Sequence, residues 1–119
     1  AIAHHEAGFR AMKVKLGYGI QDDLAVMREI GRNIAGRGVT LMVDTNHAYG
    51  VGDAIRLGYG LAEYDLRWYE EPVAPEHIQG YRQVRDKLPM PIAGGENEHT
   101  LYGFRDFLAA GAVDIAQPD

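Results

Sequence analysis

The stretch RWYEEPVAPE, residues 67–76, carries an aromatic, strand-like run straight into two adjacent acids and a proline. Such a pair suits a solvated turn, and it equally suits a strand end whose loop has chemistry to do. Working outward, strand-like runs recur at 11–16 (AMKVKL), 39–44 (VTLMVD), 66–70 (LRWYE), 91–94 (PIAG) and 113–116 (VDIA). Four segments between these runs have helical spacing. Leu24, Met27, Ile30 and Ile34 follow Asp22, a candidate N-cap. Ala54, Leu57, Leu61 and Tyr64 repeat it despite Gly58 and Gly60, each of which costs up to about 1 kcal/mol against Ala. Ile78, Tyr81, Val84 and Leu88 follow Pro75, placed as a first helical residue, and Leu101, Phe104 and Leu108 lie between Thr100 as N-cap and Gly111 as a left-handed stop. Residues 4–9 read as the tail of an earlier helix.

Strands alternating with helices over short connections predict parallel pairing by right-handed crossovers. Two α/β architectures satisfy that pattern, a doubly wound open sheet and a partial (β/α)8 barrel of about five strands. Gly17-Tyr18-Gly19, after the first strand, lacks the third glycine of a dinucleotide-binding turn, which disfavours a nucleotide domain.

Composition narrows the function classes. The 12 basic against 17 acidic residues leave a net charge of −5, which argues against nucleic acid and anionic membranes as partners. No apolar run approaches the roughly 18 residues of a membrane-spanning helix, and AIAHHEAGFR has no signal-peptide layout. Absent cysteine excludes disulfides, thiolate metal sites and thiol nucleophiles, and fits a cytoplasmic location. The chain opens without Met and stops at Gln117-Pro118-Asp119 just after an apolar run, so it reads as part of something longer.

In either architecture ligands sit at the C-terminal ends of the strands. Lys13 and Lys15 stand there, then Asp44 and Asn46, Glu70 and Glu71, Glu96 and Asn97, and Asp119. Steps of 29, 26, 26 and 23 residues from Lys15 through Asp44, Glu70 and Glu96 to Asp119 predict one group per βα unit, at one height. Strand alternation puts Lys13 with Lys15, Asp44 with Asn46, and Trp68 with Glu70, and sends Glu71 to the other face. Carboxylates converging from three strands repel unless a cation lies among them, and an all-oxygen set favours Mg²⁺. A pair of lysines opposite that charge suits proton transfer, with one pKa pushed toward neutrality.

The KxK of Lys13 and Lys15, VDTN at 43–46, YEEP at 69–72, GGEN at 94–97 and QPD at 117–119 together resemble the enolase superfamily. The likeness is greatest to its mandelate racemase subgroup, and within that to acid-sugar dehydratases and cycloisomerases. It runs from about Phe9 to the last residue. The resemblance implies that Asp44, Glu70 and Glu96 hold Mg²⁺, that Lys15 removes the proton α to a substrate carboxylate, and that Lys13 lowers its pKa. It implies Asp119 as the acid of a His-Asp dyad whose His would lie beyond the chain. It further implies that residues 1–119 are part of a C-terminal barrel domain lacking its N-terminal capping domain and last strands. Five strands cannot close an eight-stranded barrel, so this piece alone is expected to be inactive. The implied reaction is dehydration of a small hydroxycarboxylate, an acid sugar, with racemisation, epimerisation or cycloisomerisation, or a catalytically incomplete fragment with only a structural role, as the alternatives; a homo-oligomer is the expected parent enzyme. Asn46, His47 and Asn97 are candidate substrate contacts.

Each residue also has a plainer reading. A KxK pair is usually a solvated edge, Asp44 suits an Asx turn, and Glu70-Glu71 suits a charged turn. Glu96 sits where it would favour the next helix dipole, and Asp119 could be only a terminal polar residue. Trp68 reads as barrel core, and His4, His5 and His99 as surface or loop residues. The coincidence of five strand ends with five ionisable groups, together with the family likeness, favours the site.

Overall fold

The computed structural model describes all residues, 1–119. Its elements are α1 (Ile2–Glu6), β1 (Ala11–Lys15), α2 (Ile20–Ile34), β2 (Thr40–Asp44), α3 (Val51–Leu61), β3 (Tyr69–Glu70), α4 (Ile78–Lys87), β4 (Ile92–Gly94), α5 (Leu101–Ala109) and β5 (Ile115–Ala116), with a 3-10 turn Ala62–Tyr64 after α3. All five strands pair in parallel, in chain order. A doubly wound sheet reverses its order at a switch point. Here every crossover steps to the next neighbour in one direction, which makes an arc of a (β/α) barrel.

The two faces of the sheet differ sharply. Leu41, Val43, Tyr69 and Ile92 point outward into a core with Met27 and Ile34 of α2, Leu57 and Leu61 of α3, Val84 of α4 and Phe107 of α5. Burying each such side chain is worth about 1.5–3 kcal/mol before entropy is counted. Tyr81 and Phe107 meet edge to face, with ring centres 5.1 Å apart. The inner face carries the alternate set, Lys13, Lys15, Asp44 and Glu70. Gly58 and Gly60, which weaken α3 by propensity, are explained by packing: a Cβ at Gly58 would lie 2.2 Å from a Leu88 methyl, and one at Gly60 2.7 Å from a Leu24 methyl.

Several element ends differ from the sequence expectation. α2 begins at Ile20 with Gly19 as N-cap, so Asp22 lies in the first turn and caps nothing. Asp23 is the buried acid, accepting the N–H groups of Gly17 and Tyr18 and the Tyr49 hydroxyl. Those partners hold the loop before the helix, so the helix starts earlier than Asp22 could cap. Pro75 lies in a turn before α4, which starts at Ile78 with His77 as N-cap. Thr100 is the N-cap of α5, its hydroxyl accepting the Gly103 N–H at 2.9 Å, and Gly111 has the left-handed φ of +66°. β3 and β5 have only two residues each. The N-terminal helix is a short separate element, Ile2–Glu6, without buried residues. No helix is long and apolar enough to cross a membrane.

Candidate active site

Strand register aligns the inner row. Lys15 pairs with Asp44, Asp44 with Glu70, and Glu70 with Ala93, which pairs in turn with Ile115. The first three functional groups therefore stand at one height, as the spacing predicts. Glu96 and Asp119 do not: they lie three and four residues past the row, on the loops beyond β4 and β5. Both strands end with their apolar runs, at Gly94 and Ala116, so Glu96 and Asp119 fall two and three residues into the loops and the even steps count loop residues.

Asp44 and Glu70 are buried, each with a side chain about 1% exposed. Their charges are matched from β1. The Lys13 ammonium donates to Glu70 Oε1 at 2.7 Å and lies 3.7 Å from Asp44 Oδ2, so it bridges the two acids. Lys15 donates to the same Asp44 oxygen, and its side chain, 58% exposed, remains open to solvent. Trp68 Nε1 donates to the other oxygen of Glu70 at 2.8 Å. Trp68 thus stands on the inner face beside Glu70, half-buried in this arc. The hydrogen bond to Asp44 holds the Lys15 pKa above its ordinary value, with the charges of Asp44, Glu70 and Glu96 adding to it.

Glu71 departs most from expectation. Alternation would send it to the outer face, but it takes a left-handed φ of +45° and turns back into the site. Fully buried, it accepts from Asn46 Nδ2 at 2.8 Å and from Asn97 Nδ2 at 2.6 Å. Its backbone carbonyl accepts from the Thr45 hydroxyl at 3.0 Å and the His47 N–H at 2.7 Å. Asn46 and His47 also have positive φ, and the Asn46 N–H donates to Asp44 Oδ1 at 2.8 Å. The departure is local backbone strain of the kind that collects at functional sites. The visible signal was the second acid of Glu-Glu-Pro, which periodicity alone assigned to the wrong face.

The remaining candidates divide. Asn46 and Asn97 come together on Glu71, while His47 is exposed and contributes its backbone only. Glu96 is exposed at the rim, and its carboxyl pKa is raised above the ordinary range, first by the charge of Glu71 and then by desolvation and the charges of Asp44 and Glu70. Asp119 is exposed past β5. Tyr49, near the Asn46 loop, bonds to Asp23 and Gly19 and is a structural residue. Asp114, within a strand-like run, joins units by accepting from the Ile92 N–H at 2.9 Å and from Arg85 at 2.7 Å.

For Mg²⁺, the donor set has the right chemistry: two buried carboxylates on adjacent strands and a third on the next loop, all hard oxygens. The three acids are not gathered as ligands in this arrangement, since Lys13 bridges Asp44 and Glu70 and Glu96 stands outside them. The donors have the chemistry of a magnesium site but not, in this arrangement, its geometry; the lysines supply the balancing charge.

Comparison with known proteins shows the family and the fold. The family model described as enolase C-terminal domain-like matches residues 1–119. The chain is 47% identical over 112 residues to D-galactarolactone cycloisomerase of Agrobacterium fabrum, covering 94% of this chain and 29% of that protein. It is 38% identical over 123 residues to L-rhamnonate dehydratase of Saccharopolyspora erythraea, covering 96% of this chain and 31% of that protein. The chain thus spans about a third or less of the curated relatives it matches. Among solved structures, 3,6-anhydro-D-galactonate cycloisomerase of Zobellia galactanivorans superposes with a TM-score of 0.95 at 42% identity, over 99% of this chain and 33% of that one. An enolase from Bradyrhizobium complexed with magnesium and mandelic acid superposes with a TM-score of 0.91 at 40% identity, over 98% of this chain and 32% of that one.

Proposed function

Because the chain belongs to the enolase C-terminal domain-like family, we propose that it is the part of a longer enzyme that binds Mg²⁺ and abstracts the proton α to a substrate carboxylate. The reaction read from it is dehydration of an acid sugar, an aldonate or aldarate. The single observation that carries this reading is the aligned row Lys15, Asp44 and Glu70, with Lys13 bridging the two acids.

Asp44, Glu70 and Glu96 are the residues that would hold Mg²⁺, which when bound supplies electrostatic stabilisation to negative charge developing on the substrate carboxylate. Lys15 is the base. It is open to solvent, and its ammonium is now held by Asp44, so it must release that partner and its proton before it can accept another. Lys13 keeps a positive charge beside it and between the buried acids. Loss of the α-proton to Lys15 leaves an enediolate, from which a β-hydroxyl departs as water on taking a proton from a general acid. Asp119, at the rim, is proposed as one member of an acid–base pair completed elsewhere in the longer protein. A homo-oligomeric enzyme acting on a small hydroxycarboxylate, with neither nucleic acid nor membrane as partner, completes the proposal.

Cycloisomerisation is the second reading, favoured by the 47% identity to D-galactarolactone cycloisomerase. It shares the first step and differs in what leaves or closes afterward. The test is calorimetric Mg²⁺ titration of the complete protein, with solvent deuterium incorporation at the α-carbon of aldonates and aldarates followed by NMR. Lys15→Ala should abolish exchange while retaining Mg²⁺ binding, and Asp44→Asn should weaken binding at least about tenfold. Exchange that persists in Lys15→Ala would overturn the assignment of the base. The 119-residue chain alone is expected to give no turnover.

A further inference from the structure

Glu71 is a fully buried carboxylate that lies outside the aligned row and outside the proposed ion ligands. It is held at a left-handed φ, and both its oxygens are used by amides from two different loops. An ionised carboxylate only accepts hydrogen bonds. Each asparagine must therefore turn its NH2 group to Glu71, and a planar amide that does so directs its carbonyl oxygen away from Glu71. No group of the chain donates to either carbonyl oxygen, and both asparagines are exposed at the strand ends.

We propose that Glu71 is a positioning residue that sets the orientation of Asn46 and Asn97, so that the site presents two fixed hydrogen-bond acceptors suited to substrate hydroxyl groups. The backbone supports the same arrangement. The Glu71 carbonyl is tied to Thr45 and His47, and the Asn46 N–H is tied to Asp44, so the β2, β3 and β4 loops share one polar junction. An acidic site lined by acceptors favours a ligand that brings its own donors, which a polyhydroxylated acid does and a plain carboxylic acid does not. This recognition step rests on the acid-sugar reading above; the orientation of the amides does not.

The experiment has two arms. In ¹⁵N-labelled protein, the side-chain amide protons of Asn46 and Asn97 should exchange with water about tenfold more slowly than those of exposed Gln79 and Gln83. Glu71→Gln, which no longer dictates amide orientation, should bring both asparagines to the rate of the exposed glutamines. Equal rates in the unaltered protein, or unchanged protection in Glu71→Gln, would overturn the positioning role. In the second arm, the complete protein with Mg²⁺ is titrated with tartrate and with succinate, four-carbon diacids that differ only in hydroxyl groups. Tartrate should bind about tenfold more tightly, and Glu71→Gln should bring the ratio of tartrate to succinate affinity close to one. Equal affinities in the unaltered protein, or no binding of either acid, would overturn the recognition of hydroxyls. Amide exchange needs neither metal nor turnover, so it stands or falls independently of the proposed chemistry.

Discussion

Tyr49 shows how a single residue ties two site loops together. Its hydroxyl donates to buried Asp23 and accepts from the Gly19 N–H at 2.9 Å, joining the loop after Lys15 to the loop after Asp44. Gly17 serves the same junction, because a Cβ there would lie 2.9 Å from both the Thr45 carbonyl and the Ala48 Cβ. Burial and the hydrogen bond to Asp23 push the Tyr49 phenol up to about 12. An unfolded tyrosine loses its proton near pH 10, so the native state alone retains that proton between about pH 10 and pH 12. The stabilisation is complete below pH 10 and is lost as pH rises through about 12. Tyr49→Phe should cost about 1–3 kcal/mol at neutral pH, by leaving Asp23 one partner short, and should flatten the loss of stability above pH 10. Urea midpoints of both proteins from pH 7 to pH 12 check this, and parallel curves would count against it. Tyr64 and Tyr81 also carry raised values and contribute equally to both proteins, whereas Tyr69, raised chiefly by burial, loses the smaller part that Tyr49 adds.

At the scale of the element, helix starts were legible where a side chain makes the cap and obscure where it does not. α5 is capped by the Thr100 hydroxyl, and the motif is visible in the sequence. Thr100→Ala should cost about 1 kcal/mol, read from a urea melt, while Thr100→Ser should cost almost nothing. Equal stability of the alanine variant would mean that tertiary packing alone holds the helix start. α2 and α4 begin without a side-chain cap, so Asp22 and Pro75 pointed to the wrong positions. Strand ends followed the same logic. β1 and β2 run five residues each and keep their alternation, which is why Lys13, Lys15 and Asp44 were placed correctly. β3 ends at Glu70, and alternation stops with it; Glu71 obeys loop geometry instead.

The whole molecule is an open arc. Its radius of gyration of 14.4 Å exceeds the roughly 13.5 Å of a compact domain this long, and its extents are 43 × 28 × 21 Å. β1 pairs only with β2, and β5 only with β4, so each leaves one row of backbone groups without a strand partner. The inner face carries the ionic row where a closed barrel would place packed side-chain layers. Exposed edges of this kind pair with other chains. The 119-residue chain should therefore self-associate at micromolar concentration, seen by analytical ultracentrifugation. A monomeric solution that melts cooperatively would refute it.

The sequence by itself determined the order and type of the elements, the aligned Lys15, Asp44 and Glu70, and the family. Those properties follow from local periodicity and from the step between successive strand ends, which a parallel register preserves. Periodicity left an open doubly wound sheet and a barrel arc both standing; the family resemblance implied the barrel, and the strand order, a relation between elements distant in the chain, shows it. Only the tertiary structure brought Glu71 to Asn46 and Asn97, left Glu96 at the rim, and paired the lysines with the buried acids. Those outcomes depend on a positive φ and on hydrogen bonds across some 25 to 57 residues of chain, which no local pattern encodes.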